Sequence, residues 1–197
     1  MVGFFEIAQG LALSPRIAAF DAQFGAVVRS WRTPVMTEFM RAATWSANTL
    51  TVTALVLTAI AILLWRGDHG EALLTPFVVA LGNTLGSIAK RATERPRPPA
   101  ASALVHLPDS FSFPSGHTLA ALLFWTMIAF CVLRVTRRRW TRVLAVLGGL
   151  ALAVLVGVSR VYLGVHWPSD VLASWLLGTA LLSVVLGAFL TWERAYG

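Results

Sequence analysis

Hydrophobic residues dominate five long stretches of the chain that contain no Asp, Glu, Lys or Arg. The stretches are 17 to 24 residues long, which falls within the range of about 17–25 residues that spans a hydrocarbon layer about 30 Å thick. The stretches are residues 42–65, 72–89, 110–133, 143–159 and 171–192. The pattern predicts an all-α, polytopic transmembrane helix bundle with five spans, and the chain length leaves room for a sixth.

The segment before the first stretch has a different pattern. Ser14 and Pro15 are typical of a helix start, with Ser as the N-cap and Pro at the first helical position. Apolar residues then recur at helical spacing, and they are Ile17, Phe20, Phe24, Val27, Val28 and Trp31. The pattern predicts an amphipathic helix within an N-terminal arm of residues 1–33, either lying in the membrane interface or packed as a surface helix on the bundle. Thr33 and Pro34 repeat the start signal and predict a long helix that continues into the first span.

The composition agrees with a membrane protein. Of the 197 residues, 57% are apolar and 13% are charged, whereas a soluble domain carries about 25% charged residues. This shortage of charge excludes an ordinary soluble domain, a disordered chain, a coiled coil and a collagen-like protein. We expect one membrane-embedded domain over residues 1–197. No basic segment precedes an apolar core at the N-terminus, where Glu6 lies, so we expect insertion through the protein's own helices without a signal peptide.

The net charge of +7 is unevenly distributed and predicts an orientation. Cytoplasmic loops collect Arg and Lys, and the loop between the third and fourth stretches carries five arginines and no acid. These are Arg134, Arg137, Arg138, Arg139 and Arg142. We expect this loop, the 66–71 turn and the C-terminus to be cytoplasmic, and segments 90–108 and 159–170 to face outside the plasma (inner) membrane. Because the membrane accounts for much of the charge excess, we expect no nucleic-acid partner.

Side chains suited to anion binding and proton transfer gather at the external ends of the expected spans. The set consists of Lys90, Arg97, Ser115, Gly116, His117, Ser159, Arg160, His166 and Asp170. An unpaired charge near hydrocarbon is costly, so such a cluster indicates a site. Its three cations would repel one another unless an anion lay among them, and Arg and Lys side chains suit phosphate oxygens.

Two local patterns within this set have chemical meaning. Ser115 and Gly116 are placed to open the third span, and a helix N-terminus that glycine leaves accessible is an anion site, although a simple helix cap is the alternative. His166 and Asp170 lie four residues apart around Pro168, which predicts a carboxylate in a first helical turn that orients an imidazole. A purely structural His–Asp hydrogen bond is the alternative there.

A metal site is the remaining competitor, and the sequence disfavours it. No third ligand stands at a standard spacing from the His–Asp pair, and the three cations would repel a metal ion. We therefore expect no metal and no cofactor. The residues alone predict a phosphate-binding pocket at one membrane face, with phosphoryl transfer to a histidine nucleophile and a second histidine as general acid.

Three segments in this region, taken in order, resemble the three motifs of the type 2 phosphatidic acid phosphatase superfamily. The first motif is matched by Lys90, followed after six residues by Arg97 and Pro98. This spacing selects Arg97 over Arg95. Residues 114–117, Pro-Ser-Gly-His, resemble the second. The third motif is resembled by Ser159 and Arg160, followed after five residues by His166 and after three more by Asp170. The resemblance covers residues 90–170.

The resemblance implies a role for each matched residue. His166 would attack phosphorus and form a phosphohistidine, Asp170 would orient it, and His117 would protonate the leaving alkoxide and later activate water. The phosphate oxygens would be held by Lys90, Arg97, Arg160, Ser115 and the Gly116 N–H, with Ser159 as a supporting contact. The family needs no metal, and its membrane members place the site at the outer face, which would account for the external cations.

The expected substrate is a membrane lipid phosphate, with its head group in the external pocket and its tails in the bilayer. Phosphatidic acid and phosphatidylglycerol phosphate are the first expectation, and undecaprenyl diphosphate hydrolysis or transfer of phosphate between lipids are alternatives for the same site. A non-catalytic protein that binds lipid phosphate is less favoured, because binding alone needs no oriented nucleophile. Vanadate-dependent haloperoxidases share the superfamily fold and a similar anion site. Those proteins resemble soluble enzymes, so the five expected membrane spans argue against haloperoxidase activity here. The sequence does not predict an oligomeric state.

Overall fold

The computed structural model describes residues 14–196, and this part of the chain is helical without any β-strand. Its helices are α1 (Pro15–Ser30), α2 (Pro34–Trp45), α3 (Thr49–Arg66), α4 (His69–Thr93), α5 (Gly116–Val135), α6 (Arg139–Tyr162) and α7 (Pro168–Tyr196), with a short 3₁₀ helix at Ala100–Ser102 between α4 and α5. The N-terminal expectation around Glu6 falls on residues 1–13, which lie outside the described residues.

Five helices of the described region, α3 to α7, are long and apolar enough to cross a membrane. They confirm the five spans expected from the charge-free stretches, and the chain is an integral membrane protein. Successive spans run in opposite directions because the turns between α3 and α4 and between α5 and α6 are only a few residues long. As a result, the ends of α4 and α6 lie at the same end of the bundle as the starts of α5 and α7.

The first span begins later than the sequence pattern suggests. The helix that opens after Thr33 ends at Trp45, and α3 starts only after Asn48. The side-chain oxygen of Asn48 accepts a 2.7 Å hydrogen bond from the N–H of Thr51, so Asn48 is the N-cap of a new helix. The expectation of one long helix from residue 33 into the first span is therefore wrong, because a local cap interrupts an otherwise apolar run.

Helix α1 combines the two arrangements expected for the N-terminal segment. It packs against α6 and α7 through a face that includes the buried residues Asp21 and Val28. Phe24, Val27 and Trp31 instead point away from the bundle and are each more than half exposed. The helix thus lies on the bundle surface and keeps an outward apolar face that suits a membrane interface.

Helix α5 occupies the centre of the bundle. It packs against every other spanning helix, and its residues Leu123 and Met127 are completely buried. Small residues on its neighbours permit this close approach. At Gly82 of α4, an added Cβ would lie 2.1 Å from a methyl carbon of Leu123. Because its flanks are packed on all sides, α5 presents its N-terminus at a fixed place at one end of the bundle.

The loop between α6 and α7 is tied to the N-terminal helices. The guanidinium of Arg32 donates hydrogen bonds to the carbonyl of Tyr162 at 2.7 and 3.0 Å and to the carbonyl of Ser102 at 2.8 Å. The Tyr162 hydroxyl also accepts from the N–H of Thr33. Gly164 follows in the left-handed region with φ +74°, and an added Cβ there would lie 2.2 Å from the Ser102 carbonyl oxygen.

We expect Gly164→Ala to destabilise the protein. The left-handed backbone alone costs a residue with a Cβ about 1–2 kcal/mol, and the contact with Ser102 forces the two loops apart. The measurement is thermal unfolding of the detergent-solubilised protein. Gly148→Ala in α6 is the matched control, because an added Cβ there meets no described atom within 4 Å. Equal melting temperatures for the two variants would contradict the expectation.

Candidate active site

The three sequence motifs meet at one end of the bundle, where α4 and α6 end and α5 and α7 begin. The third motif supplies the central pair, in which the Nδ1 atom of His166 lies 3.3 Å from Oδ2 of Asp170. Both side chains are buried. The same carboxylate oxygen accepts hydrogen bonds from the hydroxyl of Ser112 at 2.5 Å and from the N–H of Trp167 at 2.9 Å.

This arrangement decides which nitrogen of His166 is free to react. Since Asp170 can only accept, the ring proton belongs on Nδ1, and Nε2 keeps its lone pair. Nε2 lies 3.2 Å from a terminal nitrogen of Arg97, so it faces the cationic side of the site. A neutral imidazole held by a carboxylate, with its other nitrogen directed at cations, is the arrangement of an oriented nucleophile.

Burial lowers the pKa of His166 to about 4, and the positive charges of Arg160 and Arg97 act in the same direction. The hydrogen bond and charge of Asp170 oppose this shift without overcoming it. The imidazole is therefore neutral at physiological pH. Burial also lowers the pKa of Arg97, which remains a cation because a guanidinium starts from so high a value.

Three cations surround this pair, and their hydrogen bonds go to neutral groups. Lys90 donates to the Phe111 carbonyl at 2.7 Å. Arg97 donates to the carbonyl of Val165 at 2.8 Å, and Arg160 donates to the hydroxyl of Thr44 at 2.7 Å. Further contacts place Arg97 on the backbone of the loop between α4 and α5.

Within residues 14–196, none of these three cations forms a salt bridge. The Nε atom of Arg160 is buried and has no hydrogen-bond partner among the described residues. Arg160 is buried, and Lys90 and Arg97 are partly buried. Positive charges in such positions are costly unless an anion neutralises them, so the cluster is suited to bind an anion.

The N-terminus of α5 completes the cluster. At Gly116 an added Cβ would meet no described atom within 4 Å, so the space before this helix end is open. The free N–H groups and the positive end of the helix dipole make such a position attractive to an anion. His117 lies in the first turn and lines the same cavity as Lys90.

Two serines expected to contact phosphate are occupied elsewhere in this structure. The Ser115 hydroxyl accepts a 2.9 Å hydrogen bond from the Thr118 hydroxyl and makes no side-chain cap. Ser159 is fully buried, and its hydroxyl donates to the carbonyl of Val156 one turn earlier at 2.6 Å. The backbone N–H of Ser115 also has a partner, because it donates to the carbonyl of Asp170 at 3.3 Å. The expected phosphate contacts of Ser115 and Ser159 therefore stay predictions.

The structure places two residues that the motif match did not select, Arg95 and Ser112, next to the pair of His166 and Asp170. Arg95 donates to Oδ1 of Asp170 at 2.5 Å, and its other terminal nitrogen donates to Asp21 of α1. Ser112 contacts the same carboxylate, as described above. The sequence contained one indication of the Asp21 contact. Asp21 is an acid that lies between apolar positions of an amphipathic helix, where a charged side chain needs a partner.

A groove of about 420 Å³ lies along the bundle between α3 and α4. One end is lined by Lys90, Gly116 and His117, and Lys90 is the member of the cation cluster that it reaches. Further along it is mainly apolar, with side chains that include Val52, Val56, Leu57, Ile60, Val79 and Ala80. Among the described residues, no group of three or more His, Cys, Asp and Glu side chains could hold a metal ion; metal independence of the reaction stays a prediction.

Known proteins share both the sequence and the fold. Phosphatidylglycerophosphatase B of Bacillus subtilis is 39% identical over 119 residues, which cover 59% of this chain and 57% of that protein. An undecaprenyl-diphosphatase of Sulfolobus acidocaldarius is 38% identical over 114 residues, or 56% of this chain and 50% of the relative. The chain thus matches about half the length of these relatives.

Two solved structures are similar to the whole bundle. The transmembrane PAP2 type phosphatidylglycerolphosphate phosphatase from Bacillus subtilis superposes with a TM-score of 0.85 at 28% identity, covering 98% of this chain and 94% of that one. LpxE of Aquifex aeolicus has a TM-score of 0.64 at 20% identity over 84% of this chain and 94% of its own, which shows the fold alone. The PAP2 superfamily model matches residues 71–194, more than half of the chain, and this match confirms the resemblance of the three motifs. The chain belongs to the PAP2 superfamily.

Proposed function

We propose that this protein is a metal-independent lipid phosphatase that hydrolyses a phosphomonoester in the membrane through a phosphohistidine. The observation that carries the proposal is a buried, neutral imidazole, His166, that is held by Asp170 and directed at cations. Among residues 14–196, no carboxylate forms a salt bridge with these cations. Binding a phosphate would need the cations alone. The oriented nitrogen lone pair supports catalysis over simple binding.

In the proposed reaction, Nε2 of His166 attacks phosphorus as the bond to the lipid oxygen breaks. The imidazolium that results is stabilised by Asp170, and the charge on the transferring phosphoryl oxygens is stabilised by the surrounding cations and the N-terminus of α5. His117 gives its proton to the leaving alkoxide, and the negative phosphate beside it favours the protonated imidazole needed for that step. His117 then takes a proton from water as the water attacks phosphorus and breaks the N–P bond.

The groove between α3 and α4 supports a lipid as the substrate. Its cationic end can hold a phosphate while its apolar remainder accepts hydrocarbon chains at the level of the spans. The polar side chains of Thr53 and Asn83 also line it, and Asn83 lies seven residues, or about 10 Å, before Lys90 along α4. Hydrogen-bond donors at that depth suit the ester carbonyls of a diacylglycerol lipid, whereas a polyprenyl chain offers no acceptor.

These features support phosphatidic acid or phosphatidylglycerol phosphate as the substrate, in agreement with the name of the Bacillus subtilis relative. Hydrolysis of undecaprenyl diphosphate is the second candidate, and the similarity to the Sulfolobus acidocaldarius protein favours it. A lipid acceptor in place of water would turn the same phosphohistidine into a phosphotransferase intermediate. We further propose that residues 1–197 form one domain, in the plasma membrane, with the site on the extracytoplasmic face.

The reaction is tested with purified protein and a panel of phosphatidic acid, phosphatidylglycerol phosphate and undecaprenyl diphosphate. We expect phosphate release from the two monoesters that persists with a chelator present and is inhibited by vanadate. We expect His166→Ala to lower this rate about 10³-fold or more, because the nucleophile is lost. His106→Ala, an exposed histidine on the loop between α4 and α5, is the matched control and should keep the normal rate.

Three results of this panel would count against the proposal. Phosphate release by His166→Ala at the wild-type rate would contradict the phosphohistidine. A wild-type preference for undecaprenyl diphosphate would establish the second candidate. Failure of the wild-type protein to release phosphate from any lipid would favour a binding protein.

The lowered pKa of His166 predicts how stability depends on pH. The unfolded chain binds a proton on this imidazole near pH 6.5, whereas the folded protein does so only near pH 4, so acidification between these values favours unfolding. His166→Gln removes this titration. We expect the melting temperature of the wild-type protein, relative to that of His166→Gln, to fall as the pH is lowered from 6.5 to 4. A difference that stays constant over this range would exclude the shift.

The proposed orientation is tested by cysteine labelling of intact cells with a membrane-impermeant reagent. A cysteine replacing Ala101, which is exposed near the site, should be labelled from outside. A cysteine replacing His69, at the start of α4 and at the opposite end of the bundle, should be protected. Native Cys131 is buried and is replaced by alanine in both variants. The reverse labelling pattern would place the active site in the cytoplasm.

A further inference from the structure

Arg95 links the catalytic carboxylate to a second buried carboxylate on the N-terminal helix. One terminal nitrogen of its guanidinium donates to Oδ1 of Asp170 at 2.5 Å and to the hydroxyl of Ser169 at 2.7 Å. The other donates to Oδ2 of Asp21 at 2.5 Å. The side chain of Arg95 is 6% exposed, and those of the two aspartates are at most 1% exposed. The three charges therefore interact away from water.

Asp21 also holds the start of α7 directly. Its Oδ1 accepts from the N–H of Ser169 at 2.8 Å, and its Oδ2 accepts from the Ser169 hydroxyl at 2.7 Å. A carboxylate that accepts from a first-turn N–H stabilises a helix start in the manner of an N-cap. Here the cap comes from α1, 148 residues away in the chain, and it acts on the turn that carries Asp170.

Asp21, Arg95 and Asp170 have different effects on the charge near His166. Asp170 must stay ionised and point at His166 while that ring becomes positive on phosphorylation. Arg95 favours the ionised form and occupies Oδ1, which leaves Oδ2 for the imidazole. Asp21 balances part of the Arg95 charge, so that Arg95 does not bind Asp170 alone and weaken its effect on His166.

We propose that Asp21 and Arg95 are positioning residues that hold the carboxylate of Asp170 toward His166, and that α1 is thereby part of the catalytic machinery. The proposal rests on the proposed phosphatase function. Asp21 lies outside residues 71–194, the part that the PAP2 superfamily model matches, and neither residue belongs to the three motifs. In the described part of the chain, the side-chain hydrogen bonds of Asp21 and Arg95 go to each other, to Ser169 and to Asp170, and not to Lys90, Arg97 or Arg160. Their loss should therefore affect the chemical step more than substrate binding.

The test measures kcat and KM of phosphate release for the full chain with the best lipid of the panel. We expect Asp21→Asn and Arg95→Met to lower kcat about 10- to 100-fold while KM changes little. Arg95→Lys, which keeps a charge near Asp170, should recover part of the loss. Because the two residues act on one carboxylate, the double variant Asp21→Asn/Arg95→Met should lose less kcat than the product of the single losses.

Val28→Ala is the matched control for loosened packing of α1. Val28 is buried on the same face of that helix and belongs to a hydrophobic cluster with Tyr162 and Leu163, so the variant should lose thermal stability and keep kcat. An equal loss of kcat in Val28→Ala and Asp21→Asn, at similar melting temperatures, would overturn the proposal and leave a purely structural contact.

The outcomes also separate this proposal from the proposed function. Wild-type protein without phosphatase activity would refute the function. An active wild-type protein with Asp21→Asn and Arg95→Met unchanged in kcat would refute the positioning role alone. If Asp21→Asn does not fold, Arg95→Met and Arg95→Lys decide the question. Wild-type kcat in both folded variants would again refute the positioning role.

Discussion

The carboxylate of Asp170 is an ionised group buried at the end of a membrane bundle, and the site is built around keeping it charged. Such a group is tolerated only where donors surround it. Its donors come from separate parts of the chain: Arg95 and Ser112 from the loop between α4 and α5, and Trp167 and His166 from the loop before α7. The packing of α5 and the ties from Arg32 fix the loops from which these donors project. The helices thus fix where the loops lie, and the loops provide the polar groups that stabilise the Asp170 carboxylate.

The cations of the site are held in a different way. They are anchored on backbone carbonyls and a hydroxyl, which fix the direction of each side chain without neutralising it. A carboxylate partner would hold them as well but would cancel the attraction for phosphate. The distinction explains why two arginines separated by one proline have opposite surroundings, with Arg95 between carboxylates and Arg97 among carbonyls.

The sequence was sufficient for the features that depend on local or regular patterns. Five spans followed from uninterrupted apolar length, and the residues of the central pair and the cation cluster followed from motifs with fixed spacing. The break after Trp45 was missed because one polar cap, Asn48, outweighs a long apolar run. The pairing of Asp21 with Arg95 joins residues 74 apart, and only the packing of α1 against α6 and α7 brings them together. Motif spacing also selected only Arg97 from the Arg-Pro-Arg-Pro segment. In the structure, Arg97 lies beside His166 and Arg95 contacts Asp170 and Asp21.

The groove between α3 and α4 opens sideways along the bundle, with exposed Leu57 and Asn83 among its lining residues. Under the proposed function, both the substrate and the dephosphorylated lipid remain in the bilayer throughout turnover, and only phosphate and water exchange with the aqueous phase. The rate of turnover then depends on the mole fraction of lipid phosphate in the surrounding leaflet rather than on its bulk concentration. Diluting the substrate with inert lipid would slow turnover even when the total amount in the sample is constant.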